Sequence, residues 1–185
     1  TRIVDAFRDD FQDETIVQEA KAEFPGQFDE DGNTFLARLG NNTARTFKWR
    51  GALLGTLALL NQGTEKIIVP SAGNHARGAI ETARILGVAA HIIVPTNAPP
   101  AKRDGLHQLW PGGELTVTTH GDTFTEAHEH AQTLISDTAR ILHPFDDEAV
   151  ASGQGTIVDD VLLQLPKLER FVVPVGGGGL LSGVS

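Results

Sequence analysis

Short β-branched runs alternate with longer amphipathic stretches over most of this 185-residue chain. The runs at 66–69, 91–94, 115–118 and 171–175 read as strands of the kind buried in a parallel sheet. Stretches 48–60, 75–86, 101–109, 124–140 and 157–165 have the length and apolar spacing of amphipathic helices. This β-α-β-α order predicts an α/β fold of three layers, with mostly parallel sheets covered by helices on both faces. Strand ends meet breakers at Pro70, Pro95 and Gly176, and in open parallel sheets ligands collect beyond the carboxyl ends of the strands. The N-terminal region is acidic and poorly periodic, and Phe28-Asp29-Glu30-Asp31-Gly32-Asn33 is predicted to be a solvated turn.

Composition narrows the partners. A hydrophobic share of 40% and a charged share of 21% are those of an ordinary globular domain. A formal net charge of −9 repels nucleic acid and anionic membrane surfaces, which leaves small molecules as the expected ligands. Neither a secretory signal nor an apolar run of membrane-spanning length is present, so no membrane partner is expected and a cytoplasmic location is. With Cys 0, disulfides and thiolate metal sites are excluded. The chain begins without Met, contains neither Met nor Tyr, and stops at Ser185 where an open sheet is expected to continue. The reading is therefore of a fold whose C-terminal part is missing from the sequence.

Three segments carry candidate chemistry. Lys48 lies between Phe47 and Trp49, an apolar setting that lowers an amine's pKa and suits it to imine formation with an aldehyde; on composition alone it reads as a solvated helical lysine. Ser71-Ala72-Gly73-Asn74-His75-Ala76 joins a strand to a helix, so its N–H groups can receive a carboxylate or simply be capped by Ser71 or Asn74. Gly176, Gly177, Gly178 and Gly179 follow an apolar run and precede a helix start at Leu180, a pattern that suits an anion cradle and equally a flexible turn. Neither a Walker-type lysine nor a dinucleotide fingerprint completes the glycine run. His120, His128 and His130 cluster in sequence, but positions two apart diverge on a helix, so a solvated face is expected there and no metal site.

Together these segments resemble the fold-type II pyridoxal-phosphate enzymes, whose architecture is that of the tryptophan synthase β chain, and most closely the threonine and serine dehydratases. Thr46-Phe47-Lys48-Trp49-Arg50-Gly51-Ala52 is similar to the family's Ser-Phe-Lys-x-Arg-Gly-Ala segment, and Pro144-Phe145-Asp146-Asp147 with Gly153-Gln154-Gly155-Thr156 is similar to the segment that returns the chain to the large domain. The resemblance implies pyridoxal 5'-phosphate on Lys48, with Phe47 and Asn74 beside the ring and Gly176, Gly177, Gly178, Gly179 and Leu180 around the phosphate. It implies substrate binding by Ser71, Ala72, Gly73, Asn74 and His75. It further implies two domains, with 1–65 and 149–185 in the large one and 66–148 in the small one, assembled as a homo-oligomer (dimer or tetramer).

The implied activity is α,β-elimination from L-threonine or L-serine to a 2-oxo acid and ammonia. Alternatives in the same fold are hydroxyaspartate dehydratase, diaminopropionate ammonia-lyase or serine racemase, and a non-catalytic ligand-binding homologue stands outside them. Related racemases carry a second serine where this chain has Ala72, which favours elimination. The chain departs from the family pattern in lacking a Thr-Pro-Leu segment, in reading Arg38-Leu39-Gly40-Asn41-Asn42 where an Arg-Glu-Asp/Asn turn is usual, and in placing Arg45 where glycine is usual. The partner of the pyridine nitrogen lies beyond the sequence, so the site is expected to be incomplete.

Overall fold

The computed structural model describes residues 28–31, 34–37 and 39–185. Strands β1 (Phe28–Asp31) and β2 (Thr34–Ala37) pair antiparallel. The body of the chain then runs α1 (Lys48–Leu60), β3 (Lys66–Pro70), α2 (Asn74–Leu86), β4 (Ala89–Val94), α3 (Pro100–His107), β5 (Leu115–Thr119), α4 (Phe124–Thr133), β6 (Ala139–Ile141), α5 (Glu148–Gln164) and α6 (Gly179–Val184).

Four strands form a parallel sheet in the order β5-β4-β3-β6. Because side chains alternate across a strand, Ile67, Val69, Ala90, Ile92 and Val94 pack on one face against Ala79 and Ile80 of α2 and Leu106 of α3. Ile68 and Ile93 pack on the other, against Ala127 and Ala131 of α4. The chain therefore steps outward from β3 to β5 under one layer of helices and returns to β6, on the far side of β3, under the other. That reversal makes the gap beyond the carboxyl ends of β3 and β6 the topological switch point, where open sheets bind ligands.

Helix α1 is buried between α2 and α5, which accounts for its apolar sequence. At the α1–α5 crossing a Cβ on Gly153 would lie 2.7 Å from Gly51 Cα, so glycine on both helices is what permits the approach. The same two helices are tied by Arg50, 1% exposed, whose Nη1 lies 2.7 Å from Asp160 Oδ2 and donates to Thr156 Oγ1 at 2.9 Å. Helix α6 packs on α5, with Leu180 against Ile157 and Val161, and Phe47 closes over that cluster.

Several expectations need correction. The stretch 28–33 is not one solvated turn, since Phe28–Asp31 is a strand paired to Thr34–Ala37. The helix expected over 124–140 ends at Thr133, and Ala139–Ile141 is the edge strand β6. A three-residue strand is too short for its period to be read from sequence. The helix expected over 157–165 begins nine residues earlier, at Glu148, where the Asp147 carboxylate accepts the Val150 N–H at 2.9 Å. Gly153 and Gly155 lower helix propensity by about 1 kcal/mol each, which disguised the first half of α5 as a loop. The strand expected over 171–175 is not formed, since the segment joins no ladder among the described residues; Phe171 and Val173 pack beneath α5 while Val172 is exposed.

Candidate active site

The loops that follow β3 and β6 meet at the switch point, and α1 delivers Lys48 to the same place. Asn42 shapes the approach to α1: its side chain accepts the Thr46 N–H at 3.1 Å and donates to Thr46 O at 3.0 Å. Thr46 Oγ1 in turn accepts the N–H of Lys48, the first residue of the helix. Gly78 of α2 fixes the depth of the helix, because a Cβ there would lie 2.8 Å from Trp49 N and 2.9 Å from Lys48 C. Trp49 turns away into a separate apolar cluster with Leu53 and Leu57, so Lys48 is left facing the sheet ends.

The Lys48 amine donates to Pro144 O at 2.9 Å and lies 5.6 Å from the centre of the Phe47 ring. It is half-buried, and desolvation holds its pKa below the ordinary lysine value. Two imidazoles stand nearby. His75 is buried and its Nε2 is 2.9 Å from Leu142 O, so Nε2 carries the proton and Nδ1 is left without a partner. Burial drives the His75 pKa down to about 4, the Leu142 bond acts against that, and Lys48 and His143 push it lower still. His143 is held below its ordinary value by burial and by His128, with Asp146 and Asp147 opposing and Lys48 adding to the shift. An amine whose pKa is lowered by burial, with two imidazoles also lowered beside it, is the kind of cluster that can hold and move a proton.

The glycine run reaches this site through Phe145. A Cβ on Gly177 would lie 2.5 Å from Phe145 Cδ1, and one on Gly179 would lie 2.9 Å from Phe145 Cα, so both glycines back onto the turn that carries Pro144 O. Gly176 and Gly178 face open space, and Gly178, at φ 90°, holds a conformation that favours glycine as it caps α6. Lys48 and the glycine run thus flank one turn, 143–147. A backbone free of Cβ atoms beside an amine of lowered pKa fits a cofactor that offers an aldehyde to one and a phosphate to the other.

The remaining segment lies across the crevice. Ser71 Oγ accepts the Gly73 N–H at 3.3 Å, which bends the loop, and neither Ser71 nor Asn74 caps α2 by a side chain. The capping reading of this loop is therefore wrong, and no side chain caps the first N–H groups of α2. Ser71, Ala72 and Gly73 are half-buried and Asn74 is exposed; the His75 ring, by contrast, braces β6 from within. His128 and His130 diverge as their spacing requires, His128 towards His143 at 5.4 Å between ring centres and His130 onto His120 at 3.8 Å. Among the described residues no group of three His, Asp or Glu side chains is placed to hold a metal ion. Pro144 O and His143 belong to the same turn without any sequence signal of their own, although Pro144 opens the 144–147 segment that carries the resemblance.

Comparison with known proteins places this geometry. The chain is 38% identical over 156 residues to the catabolic L-threonine dehydratase TdcB of Staphylococcus aureus (strain USA300), covering 83% of this chain and 44% of that protein. Among solved structures, the processed form of threonine deaminase isoform 2 from Solanum lycopersicum superposes with a TM-score of 0.72 at 38% identity, over 81% of this chain and 41% of that one. Maize serine racemase superposes with a TM-score of 0.68 at 33% identity, over 76% and 42% respectively. The chain thus spans less than half the length of these relatives. Residues 21–185 match the family described as pyridoxal-phosphate dependent enzyme, and the chain belongs to that family, whose cofactor is pyridoxal phosphate.

Proposed function

We propose that the protein binds pyridoxal phosphate on Lys48 and eliminates water from a β-hydroxy amino acid, L-threonine or L-serine, to give a 2-oxo acid and ammonia. The observation that carries this reading is the Lys48 amine itself, half-buried, lowered in pKa and held on Pro144 O between the sheet ends and the glycine run. The bound cofactor supplies an aldehyde for covalent attachment of an amine and a ring that takes up negative charge developing at the substrate Cα. Gly176, Gly177, Gly178, Gly179 and Leu180 hold the phosphate, and Phe47 and Asn74 flank the ring. The Ser71, Ala72, Gly73, Asn74 and His75 segment, whose helix start has no side-chain cap, receives the substrate carboxylate on its N–H groups. With its pKa lowered, the Lys48 amine accepts the Cα proton, the β-hydroxyl leaves with a proton as water, and the released enamine takes up water to give the 2-oxo acid and ammonia.

Supporting the choice of elimination, Ala72 offers no hydroxyl to return a proton from the opposite face. The domain division is 1–65 with 149–185, and 66–148; the assembly is a homo-oligomer, and the location is cytoplasmic. No helix among the described residues is long and apolar enough to cross a membrane. The test is a substrate panel in which 2-oxo acid release and D-serine formation are measured together. The reading expects 2-oxo acid from L-threonine or L-serine and little D-serine; comparable D-serine, or no 2-oxo acid from either, overturns it.

A further inference from the structure

Turn 143–147 touches both halves of the site, and one imidazole nitrogen sets its shape. His143 Nδ1 accepts the Asp146 N–H at 2.8 Å and lies 3.4 Å from the Phe145 nitrogen. Since Nδ1 accepts, the neutral ring carries its proton on Nε2. The next two residues face opposite ways: Pro144 O takes the Lys48 amine, and Phe145, edge-on to His143 at 4.7 Å, covers Gly177 and Gly179. Loss of the Nδ1 lone pair therefore disturbs the amine and the glycine run at once.

We propose that His143 is a positioning residue for Lys48, its neutral Nδ1 holding the turn that presents Pro144 O to the amine and Phe145 to the glycines, and that protonation of Nδ1 opens this turn. A protonated ring has two donors and no acceptor, so the Asp146 N–H then faces another N–H. The charged and titratable groups around His143 are Lys48 on α1, His75 on α2, His128 on α4, and Asp146 and Asp147 in the turn itself. The two carboxylates favour the proton; Lys48, His128 and burial oppose it and prevail, so the turn stays closed down to a pH below the ordinary histidine value of 6.5.

The effect on cofactor capture rests on the proposed function, but the geometry is testable without cofactor. The Lys48 pKa is read from the 13Cε shift of labelled lysine in wild type, H143A and H143N, the last of which keeps an acceptor on Cγ and does not titrate. Expected are a rise towards the ordinary value of 10.5 in H143A and a wild-type value in H143N. In wild type the Asp146 amide and Lys48 13Cε shifts respond at one pH, below 6.5. The ratio of wild-type to H143N rates of covalent pyridoxal-phosphate capture falls about fivefold on the acid side, the value of one ordinary hydrogen bond. An unchanged Lys48 pKa in H143A, or for a poorly folding H143A the absence of a shared inflection in wild type, overturns the proposal. Wild type that captures no pyridoxal phosphate refutes the proposed function instead, and leaves the cofactor-free comparison to decide on His143.

Discussion

The proton that His75 excludes sets an acid limit on the fold. Its ring is 3% exposed, and burial is the main cause that lowers its pKa from 6.5 to about 4. In the unfolded chain the same imidazole titrates near 6.5, so above that pH both states are neutral and the native state keeps its full advantage. As the pH falls from 6.5 towards 4, the unfolded chain binds a proton that the native state refuses, and stability is lost until the folded pKa is reached. At 1.36 kcal/mol per unit, this gap corresponds to roughly 3 kcal/mol. A native stability of about 5–15 kcal/mol makes that a large share. His91 and His143, also lowered in pKa, act in the same direction, so the His75 contribution has to be isolated by difference. Replacement His75→Gln retains an N–H for Leu142 O and removes the titration. Urea unfolding of both proteins across this pH range is the assay. With a slope of roughly 2 kcal/mol/M, the wild-type midpoint should fall by about 1.5 M more than that of H75Q. Equal pH dependence in the two proteins refutes the reasoning.

Arg45 has φ 52°, a left-handed conformation that costs a non-glycine residue about 1–2 kcal/mol, part of which glycine's greater freedom when unfolded offsets. Arg45→Gly should therefore raise the thermal midpoint by about 2 °C, and calorimetry showing a lower midpoint would contradict the backbone argument. Arg50→Met leaves Asp160 buried and unpaired with it and should cost about 3–5 kcal/mol in urea unfolding, much of which the double variant R50M/D160L should recover. Gly78→Ala drives a methyl into the Trp49 backbone, and overpacking of about 1–3 kcal/mol should be accompanied by slower pyridoxal-phosphate capture at an equal folded fraction. Capture at the wild-type rate would show that the depth of α1 does not set the position of Lys48.

What the sequence disclosed followed from the range over which each signal acts. Helices α1 and α2 and strands β3, β4 and β5 carry periodic patterns long enough to read, and they fix the sheet ends that Lys48 and the loop at 71–76 flank. The first half of α5 stayed hidden because Gly153 and Gly155 look like breakers locally, and their purpose, close approach to α1 and α6, exists only in three dimensions. Strand β6 was lost for its brevity, and with it the reversal of strand order that defines the crevice. The same loss concealed His143 and Pro144: a backbone carbonyl has no sequence signature, and an imidazole that accepts from its own turn looks like any surface histidine. Lys48 could be singled out only by its whole motif, since its burial and its bond to Pro144 O, 96 positions along the chain, exist only in the fold.

The covalent role of Lys48 is the claim on which the functional account depends. Borohydride reduction of the protein after incubation with pyridoxal phosphate, followed by peptide mass spectrometry, locates any amine that has bound the aldehyde. The account predicts a reduced pyridoxyl adduct on Lys48, absent from K48A. An adduct confined to other lysines, or none at all in the folded wild-type protein, would contradict it.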